Sequence, residues 1–159
     1  MIDSGDRGEA ARLLTKLEEN HVEQIDMLVA THPHADHIGG MKAVLNRFPV
    51  KQVYDSGQNY KTKMYNDFRQ QIEKEKIPFE VLRRGQEVPI NEMVKLKVLS
   101  PHTLYKGTAS DANNNSLVLR LEYKDFAMLL TGDIQAEVER DLLQTDPEAL
   151  QAQVLKVAH

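Results

Sequence analysis

Cysteine is absent from this 159-residue chain. That excludes disulfides and thiolate metal sites, without choosing a cellular compartment. Long hydrophobic runs are absent too. The longest apolar stretches, residues 27–30 and 127–130, are strand-sized, so the sequence holds no membrane segment of its own. Positive charge is not in excess: 20 Lys and Arg stand against 24 Asp and Glu, a net charge of −4. Proteins that wrap nucleic acid non-specifically are basic, so this balance argues against an extended nucleic-acid groove. It does not argue against a compact site in which metal ions supply positive charge locally. Internal repeats, low-complexity tracts and linkers are missing as well. What remains is a composition that is 41% apolar, in a length that suits one domain with a real core.

The elements that are present follow two periods. Asp6-Arg7-Gly8-Glu9 reads as a capping box. Ala10, Leu13, Leu14 and Leu17 then recur at helical spacing and predict a helix reaching residue 20. Residues 25–30 form a mostly apolar run, the pattern of a buried strand. Gly39-Gly40 permits a close approach, and Met41, Val44, Leu45 and Phe48 predict a helix from near Ile38. Residues 50–54 predict a strand, and residues 60–76 a helix with Met64, Phe68 and Ile72 on one face. Beyond Pro78 the period falls to two. Val94, Leu96 and Val98 alternate with lysines, and Leu117, Leu119 and Leu121 repeat the pattern. Lys124-Asp125 predicts a tight turn into a strand over 126–130, and so a hairpin. A helix over 135–143 and a strand over 154–157 complete the pattern. This mixture implies an α/β layered sheet sandwich with outer helices.

Three of the six histidines and one aspartate crowd into His32-Pro33-His34-Ala35-Asp36-His37, directly after an apolar run. Imidazole nitrogens and carboxylate oxygens are the usual ligands of zinc and similar divalent ions. In extended backbone, alternate side chains project the same way, so His32 and His34 can grip one ion. Asp36 and His37 sit one step further along and suit a second ion beside the first. Two such ions can hold a bridging hydroxide and clamp the oxygens of the group under attack.

The run HPHADH matches the HxHxDH signature of the metallo-β-lactamase superfamily, and further segments stand in the expected order. Ile2-Asp3-Ser4-Gly5 resembles the first motif, whose Asp lies at a strand end near the site. Leu129-Leu130-Thr131-Gly132-Asp133 resembles the fourth, whose Asp bridges the metals. Val154-Leu155-Lys156-Val157-Ala158-His159 resembles the fifth, whose His completes the second metal. More narrowly, residues 113–121, then LLTGD, then LKVAH, resemble the metallo-β-lactamase domain of ComEC/Rec2-type competence proteins. The resemblance implies a four-layer αββα sandwich in a single domain over residues 1–159, in truncated form, as part of a longer chain. It implies two divalent ions, Zn or Mn, held by His32, His34, Asp36, His37, Asp133 and His159. Asp3 would support these ligands, and Asp36 would also act catalytically.

The residues leave alternatives open. Asp3 can be an ordinary turn residue, and Asp133 can cap the helix that follows it. His159 on its own reads as an exposed residue, and His21 as a cap or a surface group. The third motif departs from the superfamily pattern, because no TPGHT-like segment is present. Either His102 takes that place or the slot falls at residues 111–113, without a histidine. Asn113, Asn115 and Ser116 can donate to a phosphate, or can simply form a turn before a strand.

The resemblance implies hydrolysis of phosphodiester bonds in single-stranded DNA by a metal-bound hydroxide, with Asp36 orienting that water and accepting its proton. Two other functions stay open: a small-molecule hydrolase acting on an ester, thioester or lactone, and a non-catalytic module that binds DNA or a partner. By the same analogy the full-length protein joins a membrane channel domain and faces the extracytoplasmic side. Residues 51–87 carry eight Lys and Arg against six Asp and Glu. With Tyr60 and Tyr65 they form either a strand-guiding surface or a solvated amphipathic helix.

Overall fold

A continuous apolar run can be buried on both faces of a parallel sheet, whereas alternation suits a sheet with one wet face. The computed structural model, which describes residues 1–158, separates these two patterns into two compact units, Met1–Val81 and Leu82 onward.

The first unit is built on the apolar runs. Helix α1 spans Ala10–Glu19, strand β1 Leu28–Val29, helices α2 and α3 Ala35–Ile38 and Met41–Arg47, strand β2 Val53–Asp55, helix α4 Lys63–Lys74 and strand β3 Phe79–Val81. The three strands form a parallel sheet in the order β1-β2-β3, with Leu28 opposite Val53 and Val53 opposite Phe79. Parallel strands need crossovers, and α2–α3 and α4 provide them. Leu28, Val53, Met41, Val44 and Phe68 are at most 1% exposed and centre the core. Removing a side chain the size of Phe68 from water contributes roughly 2–3 kcal/mol.

The predicted capping box resolves differently. Asp6 accepts from the backbone N–H of Gly8 at 2.9 Å and opens a 3-10 turn, Arg7–Glu9, before α1 begins. The strand expected over 25–30 pairs regularly only at β1, with a single bridge from Ile25 to Val50. Strand β3 and the strand Glu87–Pro89 carried too few residues to show a period.

The second unit holds β4 (Glu87–Pro89), β5 (Val94–Ser100), the short helix α5 (Asp111–Asn114), β6 (Val118–Tyr123), β7 (Phe126–Leu130), helix α6 (Ala136–Thr145) and β8 (Val154–Lys156). The sheet order is β4-β5-β6-β7-β8, antiparallel except for the parallel pair β7–β8. The predicted hairpin is present: Tyr123 opposes Phe126, so the loop is Lys124-Asp125, with Lys124 at φ 51°. Alternation along β5 buries Leu96 and Val98, while Lys97 reaches Glu122 at 3.0 Å. Helix α6 lays Val138 and Leu142 against Leu99, Val118 and Leu129.

Candidate metal centre

In open parallel sheets, reactive groups gather beyond the carboxyl ends of the strands. The histidine segment lies there, directly after β1. His34 is still extended (φ −73°, ψ 153°) and forms the N-terminal boundary of α2, the turn that carries Asp36 and His37. Extension at His32–His34 and helix at Ala35–Ile38 fold the segment back on itself. Nε2 of His32 comes within 3.2 Å of Nδ1 of His34. The rings of His32 and His37 lie 4.1 Å apart, with ligand nitrogens within 4.8 Å of each other. Oδ2 of Asp36 is 3.7 Å from Nε2 of His37, and the Asp36 side chain is half exposed.

Hydrogen bonds bear on where the ring protons sit. Asp3 sits at φ 53° immediately after the bridge from Ile2 to Val29. Its carboxylate accepts from Thr31 N at 2.8 Å, from Thr31 Oγ1 at 2.7 Å and from His37 Nδ1 at 2.7 Å. A carboxylate has only acceptors to offer, so His37 carries its proton on Nδ1 and presents Nε2 as a lone pair. The Thr31 hydroxyl spends its proton on Asp3, so its oxygen accepts from Nδ1 of His32, 3.2 Å away. In that arrangement Nε2 of His32 turns toward His34. Two nitrogens bound tetrahedrally at zinc distances stand about 3.3 Å apart. The 3.2 Å between His32 and His34 therefore fits a shared divalent ion.

The segment is clamped from below. Ser4 donates from its backbone N and its Oγ to the carbonyl of His37, and its Oγ accepts from Gly40 N at 3.0 Å. A Cβ on Gly39 would lie 2.2 Å from Arg7 N and 2.5 Å from the Ala35 carbonyl. That is the close approach expected of Gly39-Gly40.

Asp133 lies in the second unit, 3% exposed, after β7 and the turn at Gly132 (φ 56°). Its backbone N–H donates to Ser116 Oγ at 3.1 Å, and Lys156 Nζ stands 3.0 Å from the Gly132 carbonyl and 3.5 Å from Asp133 Oδ1. Asp133 does not cap α6. That place belongs to Asn114, whose Oδ1 accepts from Gln135 N at 2.9 Å. His159 lies outside the described residues.

The third-motif candidates are spread along one loop. His102 is exposed just beyond β5, and Asn113 is half-buried on α5. Asn115 is buried, accepts from Tyr105 N at 2.6 Å and donates to the Tyr105 carbonyl at 3.0 Å. Its amide therefore holds the loop in place. Ser116 is buried under Asp133 N. Asp111 ties the same loop, accepting from Thr108 and Gly107, and these bonds hold its carboxyl below the usual range.

Tyr65 does not serve as a stacking surface: it is 8% exposed and donates to Asp55 Oδ2 at 2.7 Å. Burial first, and the Asp55 charge second, push its phenol well above the ordinary range. Tyr60 is half-buried and meets the His34 ring edge-on, with centroids 5.6 Å apart. The basic segment is not one free surface. Arg69 lies over the Phe79 ring at 3.4 Å and reaches Asp55 at 3.5 Å, and in the second unit Arg84 donates to Thr145 and approaches Asp141 and Asp146. Thr31 and Asp55 carried no pattern of their own, and Ser4 stands only as part of the first motif. Thr31's place beside HPHADH and Ser4's place beside Asp3 were the available sequence signals.

A histidine loop at the end of a parallel strand, with an imidazole held by a part-buried carboxylate, makes a candidate metal site in an α/β protein. The chain belongs to the metallo-beta-lactamase superfamily, whose family model matches residues 1–145. It is 30% identical over 147 residues to ComE operon protein 3 of Bacillus subtilis, covering 92% of this chain and 18% of that protein. It is 29% identical over 128 residues to a hydroxyacylglutathione hydrolase of Cronobacter sakazakii, covering 80% of this chain and 40% of that one. The chain thus spans well under half of either curated relative. Among solved structures it is similar to the metallo-beta-lactamase fold protein YhfI of Bacillus subtilis, with a TM-score of 0.53, 16% identity and coverage of 85% of this chain and 51% of that one. The α/β class, the metallo-beta-lactamase fold and the likeness to competence-type proteins expected from the sequence are therefore shown. Among the described residues, no helix is long and apolar enough to cross a membrane.

Proposed function

We propose that this chain is the hydrolytic unit of a metal-dependent phosphodiesterase acting on single-stranded DNA during DNA uptake. The observation that supports it most is the convergence of His32, His34 and His37, with His32 and His37 tied to Thr31 and Asp3. The likeness to ComE operon protein 3 supports the nucleic-acid context. In this reading two divalent ions, Zn or Mn, would be held by His32, His34, Asp36, His37, Asp133 and His159. Bound there, the ions supply Lewis acidity and lower the pKa of a water. The chain's own residues do the rest. Asp3 holds the proton on Nδ1 of His37, and Asp36, half exposed beside His37, orients the attacking water and accepts its proton. By the same resemblance the unit belongs to a longer protein with a membrane channel domain and works on the extracytoplasmic face.

A second reading has its own support. The hydroxyacylglutathione hydrolase relative points to thioester hydrolysis on the same ligands. Elemental analysis of metal content, paired with turnover of single-stranded DNA, bis(p-nitrophenyl) phosphate and a hydroxyacylglutathione thioester under added Mn or Zn, separates the two. DNA and diester cleavage lost in Asp36→Ala and His34→Ala supports the first reading. Thioester cleavage alone replaces it with the second. Bound metal with no turnover of any substrate leaves a binding module.

A further inference from the structure

His32, His34, Asp36 and His37 leave a neighbouring surface unused. There, Ile38 at the end of α2, together with α3, α4 and the turn before α1, lines a cleft of about 630 Å³. Its floor is apolar, with part-exposed Ala10, Ala43 and Met64 over the buried Ile38 and Phe68. Its rim is cationic: Arg7, Lys42 and Lys63 stand against a single acid, Asp67, among the described residues of the lining. Asp67 takes Lys63 at 2.7 Å and Lys42 at 4.0 Å, and both ammonium groups remain mostly exposed. The cleft thus carries an excess of two positive charges within a chain whose net charge is −4.

We infer that this cleft binds a single-stranded nucleic acid, with backbone phosphates on Arg7, Lys42 and Lys63 and a sugar or base over the apolar floor. The charge is complementary to a phosphate backbone, and the combination of cations with an apolar surface suits a strand whose bases are unpaired. The size decides against a duplex. Clefts of roughly 300–1,000 Å³ take small ligands, so this one takes one or two nucleotides, not a double helix. The strand would then lie beside α2, whose single turn carries Asp36 and His37. The ligand class rests on the phosphodiesterase reading; the surface does not.

The test is fluorescence anisotropy of a labelled phosphorothioate dT15, with and without Mn, between about 50 and 200 mM salt, where counterion release is read as a slope. Arg7→Gln/Lys42→Gln/Lys63→Gln should weaken binding at least about tenfold at low salt and flatten the log–log salt slope by about 2, since each phosphate contact on a single strand contributes about 0.7. Arg12→Gln/Lys74→Gln/Lys76→Gln, which removes as much charge outside the cleft, should leave affinity nearly unchanged. Asp67→Asn should tighten binding, a gain that misfolding cannot imitate. Unchanged affinity in the cleft triple, equal loss in both triples, or tighter binding of a duplex of the same length would overturn the inference. Failure of the phosphodiesterase reading would show separately, as absent hydrolysis of bis(p-nitrophenyl) phosphate by the unmodified protein.

Discussion

The carboxylate of Asp3 lies 2.7 Å from Nδ1 of His37, across 34 residues of sequence. One oxygen of that carboxylate also accepts from the Thr31 hydroxyl, which in turn stands 3.2 Å from His32 Nδ1. A single side chain therefore ties together Thr31, His32 and His37.

Asp3→Ala should weaken Mn or Zn binding by about 10–100-fold, the usual effect of losing a carboxylate behind a metal-binding histidine. It should also cost about 1–3 kcal/mol of folding stability, because three donors lose their acceptor. Metal titration calorimetry and urea unfolding in chelator measure the two effects separately. Unchanged affinity in a folded variant would mean that His37 is oriented by something else.

Gly39→Ala should destabilise more than Gly5→Ala, although Gly5 has φ 67° and Gly39 does not. An added Cβ at Gly5 meets nothing within 4 Å, whereas at Gly39 it meets the Arg7 and Ala35 backbone at 2.2 and 2.5 Å. Strain at positive φ costs about 1 kcal/mol. A backbone clash forces the turn to move and should cost about 2–3 kcal/mol or more. Thermal unfolding of the two variants gives the order.

Tyr65 carries an alkaline signature. Burial and the charge of Asp55 raise its pKa above the ordinary value of 10.0. A raised pKa favours the neutral phenol in the folded state, so its contribution is intact below pH 10 and is lost as pH climbs beyond it. Tyr65→Phe should remove that alkaline limb. It should also cost about 1–3 kcal/mol at neutral pH, because Asp55 loses its phenolic donor. Urea unfolding from neutral to alkaline pH tests both effects.

Asn114→Ala should destabilise by about 1–2 kcal/mol, because its side chain is the acceptor at the start of α6 and is fully buried. Gln135→Ala should cost much less, since the Gln135 side chain makes no capping bond. If both variants unfold at the same urea concentration as the unmodified chain, Asn114 does not cap the helix.

Local periodicity and local chemistry were legible in the sequence alone. The crowding of three histidines and an aspartate in HPHADH, the hairpin at Lys124-Asp125 and the alternation along β5 each need only neighbours a few residues away, and the hairpin and the alternation are present in the structure. Asp3 was legible as a candidate only through motif order, and its partners were not. What the tertiary structure alone decided are the relationships between distant segments. Asp3 ties together Thr31, His32 and His37, Asn114 rather than Asp133 caps α6, Asn115 spends its amide on Tyr105, and Tyr65 is buried on Asp55 rather than open to a base. The reason is physical. A side chain's periodicity records which face it buries, but a hydrogen bond is directional and short. Which donor meets which acceptor is settled only when packing brings the two segments together.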